Sequence, residues 1–483
     1  MSLENSLVDS LLKGNLDGEQ LRDFFCNHSD IRIVTEKKHG MKPVTAIYLE
    51  GMIDTKQFND FYNPVLSHLT KCNKQMIKND RDIVIPPIVH ILKISEMVQK
   101  VFSGFLILYK EGESYFHGLD IAKIPQRTPE ESKSEISIKG PKDAFTEEIN
   151  VNISLIRKRL KTVQLNNECF TLGTLSQTKV SLLYLANKAN QDMIEEIKKR
   201  LMSFQSECII SSGQLEQWIS DRTYSLFPLF DYTTRPDYAI ECMLRGRFIL
   251  IIDGSPTVLI GPANVFLLIK SPEDVHNPYY FVMLQRAFRV IGILISICLP
   301  GFWIAISSVN IAQMPFRLLA TIGLSRSGIP MTITLETFLI LGFFELLREA
   351  SYRVPVAVGT TISIVGGLII GDAAIRGGLT SPTLVVIVAL TGVSTYTLVN
   401  QSLSGTVSIL RLYLLIISSY LGVYGFFIGI ISILVYICRL ESFNLPYIEP
   451  VSSLSFKEYL SAFSFDPFKR RKFSERMIQK WRK

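Results

Sequence analysis

Histidine, cysteine and catalytic motifs are what this sequence has least of. Six histidines, His28, His39, His68, His90, His117 and His276, stand in 483 residues, and none pairs with another at metal-ligand spacing. Cys26 and His28 are close, but a lone pair is far more often incidental than a metal site. The seven cysteines form no CxxC and no even framework, which excludes a disulfide scaffold and fits a reducing compartment. No GxxxxGK[ST], HExxH or GxSxG occurs, and no GxGxxG opens a helix after a strand. The chain is therefore expected not to be an enzyme and to hold no cofactor, metal or catalytic residue. No apolar run follows Met1, so no cleavable signal peptide is expected and the N-terminal region is placed in the cytoplasm.

Charge is scarce in one long stretch. Residues 290–311, 354–374, 379–399 and 410–438 are apolar runs of about 20 residues or more, the length that crosses roughly 30 Å of hydrocarbon. A fifth helical candidate, 331–347, carries Glu336 and Glu345 and runs into Arg348 and Glu349. Charges at membrane depth are tolerated mainly where they face protein or water. Gly367 and Gly371, and again Gly425 and Gly429, stand at GxxxG spacing, which lets helix backbones approach closely. Pro300-Gly301 predicts a kink.

What is abundant is positive charge at the borders of this stretch and beyond it. The net charge is +7, and Lys469, Arg470, Arg471, Lys472, Arg476, Lys480, Arg482 and Lys483 crowd the C-terminus. Such a tail after a membrane span reads as a topology signal or a lipid contact before it reads as a nucleic-acid arm, and no nucleic acid is expected as a partner. Arg286 and Arg289 before the stretch, and Arg439 after it, put both ends in the cytoplasm and demand an even number of spans. Four crossings are expected, with 312–353 re-entrant or interior; six, with 410–438 and other segments subdivided, is the alternative.

The first 285 residues read differently. Alternating runs at 31–37 and 44–50 meet at His39-Gly40, helices are expected at 55–69 and 89–101, and 105–109 pairs with 115–119. The pattern recurs with hairpins at 169–186 and 248–260 and a charged helix at 191–202. Val44-Thr-Ala-Ile-Tyr-Leu resembles Val180-Ser-Leu-Leu-Tyr-Leu, and Gly104-Phe-Leu-Ile-Leu resembles Gly246-Arg-Phe-Ile-Leu-Ile. These matches predict two similar mixed α/β subdomains, an α+β cytoplasmic region ahead of an α-helical multi-pass membrane domain. The expected divisions are 1–160, 161–285, 286–440 and a basic tail, 441–483. A polar linker, 123–142, leads to a bridging helix near 147–160, whose basic end (Arg157, Lys158, Arg159, Lys161) reads as a solvated helix end or as a contact with a neighbouring subunit or lipid.

The polar island is the candidate site. Glu345, Arg348 and Glu349 stand at i, i+3 and i+4 and share a helix face. Arg353 and Pro355 end the element, and Glu336, Asp372 and Arg376 are candidates for the same network. Two readings stay open: a buried ion-pair network that fixes helix packing, or a gate or ion path.

Several ordered segments resemble the A subunit of GerA-type spore germinant receptors. They are Lys139-Gly-Pro-Lys-Asp-Ala-Phe through Arg157, Ser212-Gly-Gln-Leu-Glu216, Thr234-Arg-Pro-Asp237, Glu345-Leu-Leu-Arg-Glu-Ala350 with Arg353-Val-Pro355, and Ile364 through Ala374. The chain departs from the family pattern at Lys139, Asp372 and Leu398-Val399, where the family often has Arg, Gln and a Val-Pro pair. The resemblance implies a receptor subunit in the spore inner membrane, with both termini on the core side. Its partners would be a transporter-like B subunit that holds the nutrient, a lipoprotein C subunit and membrane lipid. It also implies a homo-oligomeric ring of about five copies whose membrane part is a nutrient-gated channel for monovalent cations. An accessory or scaffold protein of the same family, and a secondary transporter, are the alternatives.

Overall fold

The structure, a computed structural model, describes residues 10–11, 16–37, 42–70, 87–123, 139–353 and 371–449. Contacts divide it into two compact units. One takes the chain up to Thr223 with Phe230–Pro262, and the other takes Tyr224–Leu229 with the chain from Ala263. Residues 263–285 thus cluster with the helices that follow them. Residues 450–483 of the basic tail and most of 354–374, including Gly367 and Pro355, lie outside the described residues.

The first unit contains two five-stranded sheets. Strands β1 (Ile31–Glu36), β2 (Val44–Leu49), β3 (Val89–Ile91), β4 (Phe105–Lys110) and β5 (Phe116–Asp120) are ordered β1-β2-β4-β5-β3. Strands β6 (Leu165–Leu172), β7 (Thr178–Leu185), β8 (Asp231–Thr233), β9 (Phe248–Ile252) and β10 (Val258–Gly261) are ordered β6-β7-β9-β10-β8. The two orders are the same permutation, and every pairing is antiparallel. The matched segments at 44–49 and 180–185 fall on equivalent strands, β2 and β7. Gly104 and Gly246, with φ of 90° and 98°, turn the chain into the central strands β4 and β9, a conformation that favours glycine.

The near-continuous apolar character of β2 and β4 follows from burial on both faces. Helices α1 (Gly18–Phe24), α2 (Thr55–Thr70) and α3 (Ile94–Val101) flank this sheet. Ile47, Leu49, Ile107 and Tyr109 meet Met97 and Val101 of α3, whereas Val44, Ala46, Leu106 and Leu108 meet Val65 and Leu66 of α2. The helix expected over 89–101 is corrected by the structure: Val89–Ile91 pairs with β5 as an edge strand, and the helix starts only at Ile94.

The bridging helix is α4 (Ile149–Arg159), and α5 (Gln191–Met202), α6 (Ser212–Ile219) and α7 (Pro236–Leu244) complete the second subdomain. Lys158 and Lys161, in the basic end of α4, are exposed, as a solvated helix end would have them, but Arg157 is not. Its side chain is wholly buried and forms a two-pronged bond with Asp30 of the first subdomain, Nε–Oδ2 2.9 Å and Nη2–Oδ1 3.0 Å. Nη2 also lies 3.1 Å from His28 Nδ1, and the guanidinium covers the Phe102 ring. Arg159 pairs with Asp143 at 2.6 Å, and Lys161 donates to Ser103 Oγ.

The second unit is helical: α8 (Val265–Ile269), α9 (Tyr279–Ile304), α10 (Phe316–Ser325), α11 (Ile333–Arg353), α12 (Pro382–Thr395) and α13 (Gln401–Cys438). Helix α9 runs through Pro300 and continues as a π-helical turn, Ala305–Val309. Among the described residues, two helical stretches are long and apolar enough to cross a membrane, Tyr279–Val309 and Ser402–Cys438. Helix α12, the heart of the expected span 379–399, has 14 residues, about 21 Å, which is shorter than a bilayer core.

The run 410–438 is not one straight span. At Gly422 the backbone leaves the helix (φ 61°, ψ −140°). Tyr413 Oη and Ser432 Oγ then meet at 2.7 Å across the reversal, and Gly429 sits against Leu414. Helix α13 is therefore a hairpin with arms 401–421 and 423–438, about 31 and 24 Å long. Asn310, just past the π turn of α9, caps the second arm, its Oδ1 accepting from Val423 N at 2.9 Å. A side chain at Gly422 would run into Asn310 and Val309. Gly425 lies against Ile417 and Leu421 of the first arm, whereas a Cβ at Gly371 would meet nothing within 4 Å.

Candidate functional site in the helical unit

Two of the three acidic residues of helix α11, Glu336 and Glu345, lie about 13 Å apart along its axis, and each is the centre of a separate cluster. Glu336 is fully buried. Its Oε1 accepts from Ser381 N at 2.6 Å, Ser381 Oγ at 2.8 Å and Thr380 Oγ1 at 3.1 Å. Ser381 is the N-cap of α12, so a carboxylate of α11 satisfies a helix N-terminus that no side chain of its own caps, where negative charge is favoured. Arg326, just past α10, lies 3.2 Å from the other carboxylate oxygen and donates to Met331 O at 2.7 Å. The cluster thus fastens α10, α11 and α12 together.

Glu345 is the second centre. It is bound by Arg348 one turn along, at 2.5 Å, and by Arg411 of the first hairpin arm. Arg411 is 3% exposed. It also donates to Ser408 Oγ (3.3 Å) and Thr395 Oγ1 (3.4 Å), and Thr395 meets Ser296 of α9 at 2.8 Å. Arg348 reaches the same Ser408 at 3.0 Å. Four helices, α9, α11, α12 and α13, therefore converge on one carboxylate, two guanidiniums and three hydroxyls.

The structure brings together Glu345 and Arg348 as expected from their spacing, and adds Arg411, which lay unnoticed inside a run read as apolar. A lone arginine in such a run is itself the signal, because a membrane-depth cation needs an acceptor. Glu349, one turn beyond Glu345, is exposed, and Arg353 closes α11. Asp372 pairs with its fellow candidate Arg376 at 2.9 Å in an i, i+4 pair whose side chains are 55% and 79% exposed.

Comparison with known proteins decides the family. The family described as Bacillus/Clostridium GerA spore germination protein matches residues 19–476. The chain belongs to the GerA family. It is 40% identical to spore germination protein XA of Bacillus anthracis, over 94% of this chain and 93% of that one. It is 32% identical to a membrane protein of Bacillus subtilis, YfkQ, over 87% and 83%. The crystal structure of the N-terminal domain of the A subunit of the Bacillus megaterium spore germinant receptor GerK3 aligns at 28% identity with a TM-score of 0.39, covering 52% of this chain and 95% of that one.

Several segments that carry the GerA resemblance do structural work. Asn152, in the segment ahead of Arg157, closes a loop on Thr146, and Ile149 N donates to Asp253 Oδ1 at 3.2 Å. Arg235 of Thr234-Arg-Pro-Asp237 is buried against Asp237, with Pro236 opening α7. Glu216, which ends Ser212-Gly-Gln-Leu-Glu, sits half-buried, and burial pushes its carboxyl up to about 7. The GerA segment from Glu345 to Ala350 holds the second charged cluster.

Proposed function

We propose that this GerA-family chain is the A-type subunit of a nutrient germinant receptor in the spore inner membrane, oligomerising to form a gated path for monovalent cations. A transporter-like B subunit and a lipoprotein C subunit would be its partners, and the nutrient would act through them. The family membership supports the germination role. Two long apolar stretches support the membrane setting, with Tyr420 and Tyr424 exposed beside the hairpin tip and Tyr279 and Tyr280 at the start of α9, where interfacial aromatics belong.

The observation that carries the gating reading is the sharing of Glu345. Release of Arg411 leaves Glu345 bonded to Arg348 on its own helix and leaves Arg411 bonded to Ser408 and Thr395. Both groups keep a polar partner, so the ionic link from Glu345 to the hairpin is one that can break and re-form while the Arg348–Ser408 hydrogen bond still joins α11 to the first arm. A nutrient signal shifts such a two-state element only by binding one state better than the other. Glu336 is locked into a helix cap and serves as a fixed anchor.

The test is reconstitution of the full receptor in liposomes with nutrient-triggered potassium flux as readout. The expected result is flux that needs this chain and rises in Arg411→Gln vesicles before nutrient is added. Nutrient-triggered flux that persists without this chain would reject the channel reading. Arginine pairing of both carboxylates, buried Glu336 and half-buried Glu345, favours a second reading, a scaffold that only packs helices. In that case the variant would lower assembly and leave flux per assembled receptor unchanged.

A further inference from the structure

A cavity of about 180 Å³ lies within the helical unit, between α9 and the open end of the hairpin. Its wall is almost wholly apolar, made by residues such as Ile293 and Ile297 of α9, Leu410 of the first arm and Ile433 of the second. Phe227 and Tyr447, from outside the long helices, also line it. A dry cavity of comparable size, roughly 150 Å³ and lined by aliphatic and aromatic side chains, binds a small hydrocarbon and excludes water. A polar nutrient finds no partner here.

The cavity is not sealed. Leu294 and Leu434, both in its wall, are 57% and 50% exposed, so its mouth opens between α9 and the second arm. That is the same outward side of α9 on which Leu284, Phe288 and Ile291 are exposed. A cavity that opens from a membrane helix onto hydrocarbon is reached from the bilayer rather than from water. We propose that it is a lipid site, occupied by one acyl chain of a membrane phospholipid entering past Leu294 and Leu434. The chain wedges the open end of the hairpin against α9, the same two elements whose other contacts meet at the Arg411 cluster. Occupancy thereby couples bilayer composition to the hairpin. This inference rests on the membrane placement of α9 and the hairpin.

The experiment uses the full chain in phosphatidylglycerol nanodiscs containing a phospholipid with a diazirine at its acyl-chain end. After illumination, labelled residues are mapped by mass spectrometry. Labelling of residues 293–298 and 430–437 is expected in the unaltered chain, falling at least fivefold in Leu434→Trp, which blocks the mouth from a half-exposed position. It should fall as far in Ile297→Trp, which fills the interior, while labelling at Leu284 and Phe288 stays unchanged in both. Labelling at Leu284 and Phe288 with none in the cavity, or cavity labelling that ignores both tryptophans, would overturn the proposal. Absence of labelling at every one of these positions would instead reject the membrane placement itself. Capture of a free alkyl diazirine but not of the phospholipid would make the cavity a small-solute site and would also overturn it.

Discussion

The α/β unit and the helical unit each bury an arginine against a carboxylate, and the two solutions differ in one respect. Arg157 has a single carboxylate, Asp30, held by both prongs, with Thr162 O, His28 and the Phe102 ring occupying what remains of the guanidinium. Asp30 lies in the first subdomain and Arg157 on the helix leading to the second, so breaking the pair strands a charge between two sheets. Glu345 instead divides itself between Arg348 on its own helix and Arg411 on another. Under the proposed gating, the first arrangement is a fixed joint and the second a separable one. A buried pair with no alternative partner fixes a structure, whereas a shared carboxylate permits two.

The hardest blow to that contrast is struck at the joint. Asp30→Ala leaves Arg157 uncompensated and is expected to cost about 3–5 kcal/mol, read as lost hydrogen-exchange protection across α4 in the full chain. Loss below about 1 kcal/mol would mean the joint is no stronger than a surface pair.

Next comes pH. Burial first, and then the Arg157 charge, lowers the His28 pKa from 6.5 to about 4. Between those values the unfolded chain binds a proton that the folded chain refuses, so stability falls as pH drops from 6.5 to 4, by about 3 kcal/mol in all. Asp30 acts in a lower window. Its burial would raise its pKa, but the Arg157 charge and hydrogen bonds bring it below its ordinary value, so its contribution is present above about 3.8 and is lost as pH falls through the folded value. His28→Gln is expected to flatten the slope from pH 6.5 to 4 and to leave the lower one. An unchanged upper slope would remove His28 from the account.

In the helical unit, Gly422→Ala tests the hairpin. The residue has φ 61° and faces Asn310 and Val309, so a cost of about 2 kcal/mol is expected, seen as a lowered melting temperature in detergent. A neutral effect would argue for a straight α13. The smallest effect is expected from Asp372→Asn. Its pair with Arg376 is mostly exposed, and a change within about 0.5 kcal/mol of zero is expected. A larger loss, with flux altered, would return Asp372 to the charged network.

The contrast also explains what was legible in the sequence. Periodicity and the matches at 44–49 and 180–185 revealed the duplicated sheets, because residues that alternate between two buried faces leave an apolar record. The edge strands β3 and β8 did not, being three residues each. The i, i+3 spacing of Glu345 and Arg348 was local and therefore visible. Arg411, 66 residues away from Glu345, and Asp30, 127 from Arg157, become partners only through tertiary packing. Apolarity over 410–438 left the reversal undecided between a single span and a subdivided run, since a lipid-facing hairpin and a single long span have the same composition. Gly422 was the one residue able to mark it.

The most direct measurement of the separable link is nutrient-independent potassium release from spores carrying Arg411→Gln, normalised to the number of receptor copies in each spore. The account predicts that release per copy before nutrient rises above that of unaltered spores, because the hairpin has lost its ionic hold on Glu345 and is left with the Arg348–Ser408 hydrogen bond to α11. Fewer copies per spore, with basal and nutrient-triggered release per copy both unchanged, would contradict it and leave the pair as helix packing alone.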